Sequence, residues 1–223
     1  MLLLFDIDGT LLLRAVEAHR DAIHHAIHRV WHVPDPAAAR VQPAGRTDPE
    51  IARAILLQSG VSADRIDARW QDFKHTAAEE YAARVDDSLA RFLAPGIADV
   101  LGSLAERDDV VLSLVTGNLE AIARLKLARA GIGHFFARGQ GGFGSDHEDR
   151  SELPAIARRR AGQPGEPHPR EETIVIGDTP LDVACARADG VRCIAIATGP
   201  FRAEELIGAD EVVASARELL ALL

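Results

Sequence analysis

The chain has 223 residues, a net charge of −9 and 47% hydrophobic residues. An acidic chain without a long basic block argues against a nucleic-acid-binding surface or a cationic membrane patch. No apolar run approaches the roughly 20 residues of a transmembrane helix. Cys185 and Cys193 lie in apolar segments, which predicts reduced core thiols in a cytoplasmic protein. The length allows one large domain, or one domain with a sizeable insertion.

The chain begins with an apolar stretch of strand length, residues 2–7, which leads into Asp6 and Asp8. Gly9 follows directly and predicts a turn. Two carboxylates at the end of a strand suit a hard cation, and they can act as a nucleophile and as a general acid and base. The same pattern also fits an acidic surface turn, so the rest of the chain has to decide between these interpretations.

Helical periodicity dominates the next eighty residues. Apolar residues at helical spacing predict helices over 16–31, 48–57 and 64–83. Several histidines fall in or beside the first of these helices, and we expect them on a solvated face. They are His19, His24, His25, His28 and His32. The periodicity predicts an all-α insertion, residues 14–93, which we call the helical insert.

From residue 97 onward, helices alternate with strands. Strand–helix alternation predicts a parallel sheet with right-handed crossovers, and continuous apolar runs predict strands that are buried on both faces. We therefore expect an α/β, Rossmann-like core with helices on both faces, formed by residues 1–13 and 94–223. The predicted strands after the first lie at 110–115, within 135–143, and at 173–176, 191–197 and 211–214.

Polar residues follow three of these strands at the end where parallel sheets bind ligands. Carboxylates gathered there would repel each other strongly unless a cation lies among them. All-oxygen ligands favour Mg²⁺. The residues are Asp6 and Asp8 after the first strand, Thr116, Gly117 and Asn118 after the second, and Asp178 and Asp182 after the fourth.

Together, the three strand ends resemble the motifs of the haloacid dehalogenase superfamily, and the helical insert is similar to the small helical cap domain of its phosphoglycolate phosphatase-like members. The matching stretches are Phe5-Asp6-Ile7-Asp8-Gly9-Thr10-Leu11, Val115-Thr116-Gly117-Asn118 and Ile176-Gly177-Asp178-Thr179-Pro180-Leu181-Asp182. The resemblance implies a phosphoric monoester hydrolase. It would be a Mg²⁺-dependent phosphatase that hydrolyses a small phosphorylated metabolite through an aspartyl-phosphate, as a monomer or homodimer.

The resemblance also implies roles for individual residues. Asp6 would attack phosphorus, and Asp8 would protonate the leaving oxygen and then activate the hydrolytic water. Thr116 and the backbone N–H groups of Gly117 and Asn118 would bind the phosphoryl oxygens at a helix N-terminus.

The same resemblance implies a metal site. Asp6, Asp178 and the backbone carbonyl of Asp8 would hold Mg²⁺. Asp182 would support the ligands of the metal or orient the basic residue of the site.

The third motif departs from the family, which usually has a Lys, often followed by Pro, at this point. Arg150 lies where the helix before the fourth motif begins, at the active end of the sheet. Lys126 is the other candidate for catalysis or phosphate binding. At about 1.5 Å per helical residue it would lie roughly 12 Å from the phosphate end, on a surface helix. Geometry therefore favours Arg150.

Substrate choice is expected from the helical insert. The stretch Gly45-Arg46-Thr47-Asp48 resembles a loop of phosphatase members, and Arg46 would meet a substrate carboxylate or hydroxyl group.

Two alternatives remain open. One is a sugar-phosphate mutase, because His19 lies one residue beyond the position of a cap histidine in mutases of the superfamily. The other is a non-catalytic module that binds a phosphometabolite or a partner, although such a module would be expected to lack Asp6 or Asp8. Dehalogenation is disfavoured because dehalogenases lack the second acid, which a halide leaving group does not need.

Overall fold

A single six-stranded sheet forms the centre of the molecule in the computed structural model, which describes all 223 residues. All its strand pairs are parallel, as predicted, and the order is β3-β2-β1-β4-β5-β6. The first strand is central, and the chain winds away from it in both directions, so the ends of its neighbours flank a crevice. The strands are β1 (Leu2–Phe5), β2 (Val111–Thr116), β3 (Gly142–Phe143), β4 (Thr173–Gly177), β5 (Arg192–Ile196) and β6 (Glu211–Val213).

Five helices lie between β1 and β2, and the first four of them share a hydrophobic core, which contains Trp31, Phe73 and Tyr81. The predicted long helix over 64–83 is two helices, because Arg69 leaves the helical conformation and its guanidinium donates to the carbonyl of Val30. The first four helices are α1 (Glu17–Trp31), α2 (Asp48–Gln58), α3 (Ala63–Asp67) and α4 (Trp70–Ala82).

The fifth helix and the four helices that follow β2 cover the two faces of the sheet. Side chains alternate along β1, so Leu3 and Phe5 enter one hydrophobic cluster while Leu2 and Leu4 enter the other. Cys185 and Cys193 are buried, as predicted. None of the nine α-helices is both long and apolar enough to cross a membrane. The five helices are α5 (Ile97–Ala105), α6 (Glu120–Arg129), α7 (Leu153–Ala161), α8 (Pro180–Asp189) and α9 (Ala216–Leu222).

The two chain segments that join the helical insert to the sheet run side by side. The Leu13 N–H donates to the Phe92 carbonyl at 2.7 Å, and the Ala94 N–H donates to the Leu11 carbonyl at 3.0 Å. The predicted boundaries at residues 14 and 93 fall beside this pair of hydrogen bonds. A division into catalytic core and cap domain at these residues stays a prediction.

Candidate active site

Asp6 and Asp8 follow β1 directly, and each carboxylate has a different cationic partner. Asp6 Oδ1 accepts a hydrogen bond from Arg150 Nη2 at 2.9 Å. The two oxygens of Asp8 accept from Lys126 Nζ at 2.7 and 2.5 Å, and Asn118 Nδ2 donates to the same carboxylate at 2.9 Å. Only Ile7 separates the two acids in the sequence, but their carboxylates have different partners.

Arg150 precedes α7 in a short 3₁₀ turn that the Asp149 side chain caps. Its Nη2 donates to both Asp6 and Asp182, and its Nη1 donates to the Gly45 carbonyl at 3.0 Å. Burial by itself would lower the pKa of Arg150, but the two carboxylates raise it well above its usual value. The structure thus places a permanent cation beside Asp6, at the end of the sheet where the sequence indicated it.

Lys126 does not lie on a solvated surface far from the acids, so that expectation was wrong. Its side chain is 0% exposed and reaches Asp8. Side chains on a helix tilt toward its N-terminus, so a distance measured along the axis of α6 overestimates the distance to the amino group. Helical spacing carried the missed signal, because Lys126 is in register with the buried residues Ile122, Ala123 and Ala130.

His19 is likewise buried, which corrects the expectation that all the histidines of this region are solvated. Its Nε2 lies 3.0 Å from Asp48 Oδ2, and its Nδ1 lies 3.0 Å from Lys126 Nζ. Asp48 Oδ2 also accepts from the Leu119 N–H at 2.7 Å. Here too the spacing held the signal, since His19 precedes the buried Ile23 by four residues.

Three buried acids converge beside β1. Asp6, Asp178 and Asp182 each place one carboxylate oxygen within 4.8 Å of the others. Both oxygens of Asp182 are engaged, because Oδ1 accepts from Arg150 and Oδ2 accepts from the N–H and the hydroxyl of Thr179, at 3.0 and 2.7 Å. Asp182 thereby caps α8 and orients Arg150.

Asp178 has one oxygen in use and one without a partner. Thr10 Oγ1 donates to its Oδ1 at 2.9 Å, whereas its Oδ2 is buried and accepts no hydrogen bond. A Cβ atom at Gly9 would lie 2.1 Å from this Oδ2, and one at Gly199 would lie 1.7 Å from it. Only glycine therefore fits at these two positions. A buried carboxylate oxygen without a donor, beside two other acids, could bind a hard metal cation.

The acids differ in their affinity for protons. Burial, followed by the charges of Asp6 and Asp182, raises the pKa of Asp178 to about 8. Burial also raises the pKa of Asp6 to about 7, against the opposing effect of Arg150 and with the support of Asp182 and Asp8. Burial acts on Asp8 in the same direction, but the charge of Lys126 and its hydrogen bonds to the carboxylate outweigh it and lower the pKa of Asp8. A cation among Asp6 and Asp178 would replace the protons that these buried groups otherwise retain.

The end of β2 supplies the third side of the crevice. Thr116 is buried, and Asn118 has a buried Oδ1 without a partner. The Gly117 carbonyl accepts from the Asp48 N–H at 2.7 Å, and a Cβ at Gly117 would lie 2.2 Å from the Arg46 carbonyl. The helical insert therefore contacts this strand end through its backbone.

The backbone of Arg46 forms part of this contact, but its side chain pairs with Glu50 on α2. Its Nη1 is 3.1 Å from Glu50 Oε1, and both side chains are more than one-third exposed. The guanidinium thus pairs with Glu50 in the first turn of α2 and makes no salt bridge with the aspartates of the site.

The chain matches one protein family and several solved structures. The family model of haloacid dehalogenase-like hydrolases matches residues 3–187. No curated protein matches the chain significantly.

Among solved structures, the chain is similar to a hydrolase from Pseudomonas syringae, with 20% identity, a TM-score of 0.67 and coverage of 100% of this chain and 97% of the other. It is similar to CbbY from Rhodobacter sphaeroides in complex with phosphate, with 21% identity, a TM-score of 0.66 and coverage of 98% and 95%. It is also similar to a predicted phosphoglycolate phosphatase from Haemophilus somnus, with 18% identity, a TM-score of 0.65 and coverage of 99% and 96%. At these identities the likeness establishes a shared fold.

Proposed function

Because the chain belongs to the haloacid dehalogenase-like hydrolase family, we propose that it is a Mg²⁺-dependent phosphatase acting on a small phosphorylated metabolite. The observation that carries the proposal is the separate pairing of the two acids, Asp6 with Arg150 and Asp8 with Lys126. Two carboxylates with different environments can take two roles in one reaction. Here one would be the nucleophile and the other the group that moves protons.

In the first half of the reaction, a carboxylate oxygen of Asp6 bonds to phosphorus while the ester P–O bond breaks. Asp8 gives its proton to the departing oxygen, and an aspartyl-phosphate remains. In the second half, Asp8 takes a proton from water, whose oxygen displaces Asp6 and releases inorganic phosphate. The lowered pKa keeps Asp8 ionised, as the second half requires, and the negative charge of an incoming phosphate raises that pKa for the first half.

Other residues of the crevice bind and orient in this proposal. Arg150 faces the phosphoryl oxygens beside Asp6, while Thr116 and the backbone N–H groups of Gly117 and Asn118 bind the same oxygens from β2. Asp182 holds Arg150 in position.

The carboxylates of Asp6 and Asp178, with the Asp8 backbone carbonyl, would hold Mg²⁺. When bound, the ion neutralises charge so that a carboxylate can approach an anionic phosphate. In this ligand assignment Asp182 remains paired with Arg150, and the unpartnered Oδ2 of Asp178 would coordinate the ion.

We assign substrate selection to the helical insert, residues 14–93, as a cap domain over the catalytic core, with Arg46 as the residue that would contact the rest of the substrate. A mutant of CbbY, which shares the fold, has been crystallised with xylulose-1,5-bisphosphate, so sugar phosphates belong in the substrate panel. A cytoplasmic location and a monomeric or homodimeric state stay predictions.

The test is phosphate release from a panel of phosphoglycolate, sugar phosphates, polyol phosphates, nucleotides and p-nitrophenyl phosphate. We expect turnover with Mg²⁺, none in EDTA, and recovery when Mg²⁺ is restored. Asp6→Asn is expected to abolish turnover while its thermal unfolding remains cooperative. Activity that survives either EDTA or Asp6→Asn would overturn the mechanism. Interconversion of sugar phosphates that requires a sugar bisphosphate would assign a mutase instead.

A further inference from the structure

A continuous chain of polar contacts runs from the helical insert to Asp8. Asp48 Oδ2 lies 3.0 Å from His19 Nε2, His19 Nδ1 lies 3.0 Å from Lys126 Nζ, and Lys126 bonds both oxygens of Asp8. His19, Asp48 and Lys126 are all more than nine-tenths buried. Helix α1, the start of α2 and helix α6 each contribute one of these three residues.

Donor and acceptor chemistry determines the direction of this chain. A lysine ammonium group has three N–H donors and no acceptor, so His19 Nδ1 must accept from Lys126. The ring proton then lies on His19 Nε2, which donates to the Asp48 carboxylate. Asp48 is anchored in turn by the Leu119 N–H at 2.7 Å.

All three donors of Lys126 are thereby used, two on Asp8 and one on His19. Lysine has a flexible four-carbon stem that by itself does not fix the position of its charge. The contact with His19 supplies that restraint. Asn118 Nδ2 approaches Asp8 at 2.9 Å, so the carboxylate is held by two donor side chains.

We propose that Lys126 is a positioning residue for Asp8 and that His19 and Asp48 hold Lys126 in place. The inference rests on the proposed function, in which Asp8 donates and accepts the proton. His19 and Asp48 belong to the helical insert, whereas Lys126 belongs to α6. The series of contacts from Asp48 to Asp8 is therefore complete only when the insert is docked against α6. Docking of the insert is thereby linked to the orientation of the proton-transferring group.

Dependence on the leaving group separates positioning of Asp8 from a structural role. A poor leaving group such as an alkoxide requires proton transfer, whereas p-nitrophenolate leaves readily without it. Lys126→Met should therefore lower kcat about 10²-fold for the best alkyl phosphate of the panel and about 10-fold or less for p-nitrophenyl phosphate, with KM nearly unchanged. Lys74→Met is the matched control, because Lys74 is the other lysine of the chain and donates to the Ser145 carbonyl at 3.0 Å.

Substitutions at His19 test the next contact in the chain. An Asn amide oxygen can replace Nδ1 and accept from Lys126, whereas a Gln amide can replace Nε2 and contact Asp48. His19→Ala should reproduce the leaving-group dependence of Lys126→Met. His19→Asn should recover part of the lost kcat, and His19→Gln should recover less.

A readout independent of turnover is available because the chain has two lysines. Protein labelled with ¹³C at the lysine ε carbon should give two resonances, of which Lys126→Met removes one. His19→Ala and Asp48→Asn should shift the Lys126 resonance and leave that of Lys74 in place. If the wild type releases no phosphate from any substrate, the proposed function fails while the resonances still report the contact chain.

The inference is overturned if the wild type is active and Lys126→Met lowers kcat by the same factor for both substrates, or leaves kcat unchanged for both. It is also overturned if His19→Ala leaves the Lys126 resonance unchanged. If Lys126→Met does not fold, the comparison of His19→Ala with His19→Asn decides, and equal kcat values for these two variants reject the proposal.

Discussion

Two buried arginines offer a matched pair of substitutions that separate stability from catalysis. Arg150 donates to the carboxylates of Asp6 and Asp182 and to one backbone carbonyl. Arg158, on α7 and facing α8, donates to both oxygens of Asp189 at 2.6 and 3.0 Å and to one backbone carbonyl. Both are more than nine-tenths buried. Replacement by Met removes the charge from each and keeps much of the apolar volume.

The expected losses of stability follow from the partners that remain. Breaking a buried ion pair costs about 3–5 kcal/mol because a buried charge loses its partner. Arg150→Met leaves two acids without their cation and belongs at the upper end of this range. Asp189 keeps Arg170 at 3.3 Å, so Arg158→Met belongs at the lower end. In a chain of this length, 3–5 kcal/mol corresponds to a fall in Tm of roughly 6–20 °C.

Activity should separate the two variants far more than stability does. Arg150→Met is expected to lower kcat about 10³-fold or more for every substrate, since a cation at the transferring phosphoryl group acts regardless of the leaving group. Arg158→Met should retain the kcat of the wild type at temperatures well below its Tm. Calorimetry and phosphate release with p-nitrophenyl phosphate and an alkyl phosphate measure both quantities. Comparable losses of kcat in the two variants would refute the assignment of Arg150 to the transferred group.

The remaining predictions concern the acids and the substrate-facing loop. Asp6 and Asp178 have pKa values raised to about 7 and 8 in the folded protein, against about 3.9 in the unfolded chain. Their protonation therefore stabilises the fold fully at pH values below about 3.9, and this contribution is lost as the pH rises through 7–8. In EDTA, Tm should therefore fall between pH 6 and pH 9. The increase in Tm on adding Mg²⁺ should be larger at pH 9 than at pH 6, and Asp178→Asn should remove most of this dependence on pH. An equal increase in Tm with Mg²⁺ at both pH values would contradict the prediction. Gly199→Ala should abolish the rise of Tm with Mg²⁺, because its Cβ would meet Asp178 at 1.7 Å, and an unchanged rise would remove Asp178 from the metal site. Arg46→Ala should raise KM for the preferred metabolite and leave p-nitrophenyl phosphate turnover unchanged, and equal effects on both would exclude substrate selection by this residue.

Much of the fold and of the acid cluster could be predicted from the chain alone. Parallel strands place their carboxyl ends at one edge, so polar residues after three apolar runs had to approach one another. The rule predicted that Asp6 would lie close to Asp178 and Asp182, which are more than 170 positions away in the sequence, and the three carboxylates do converge. The placement of Arg150 beside them follows from the same rule, since it starts the helix that leads back from that edge.

The cation partner of Asp8 was decided by the docking of two helical layers. Lys126 and His19 lie on helix faces whose spacing indicates burial, but helical periodicity cannot say what covers a face or where a flexible side chain ends. The contact from His19 to Lys126 joins residues 107 positions apart, and that from Lys126 to Asp8 joins residues 118 apart. Strand pairing follows a general rule of direction and register, whereas the packing of the helical insert on α6 depends on the shapes of both surfaces. The sequence by itself therefore determined the sheet and its acids, and only the tertiary structure decided how Lys126 and His19 meet Asp8.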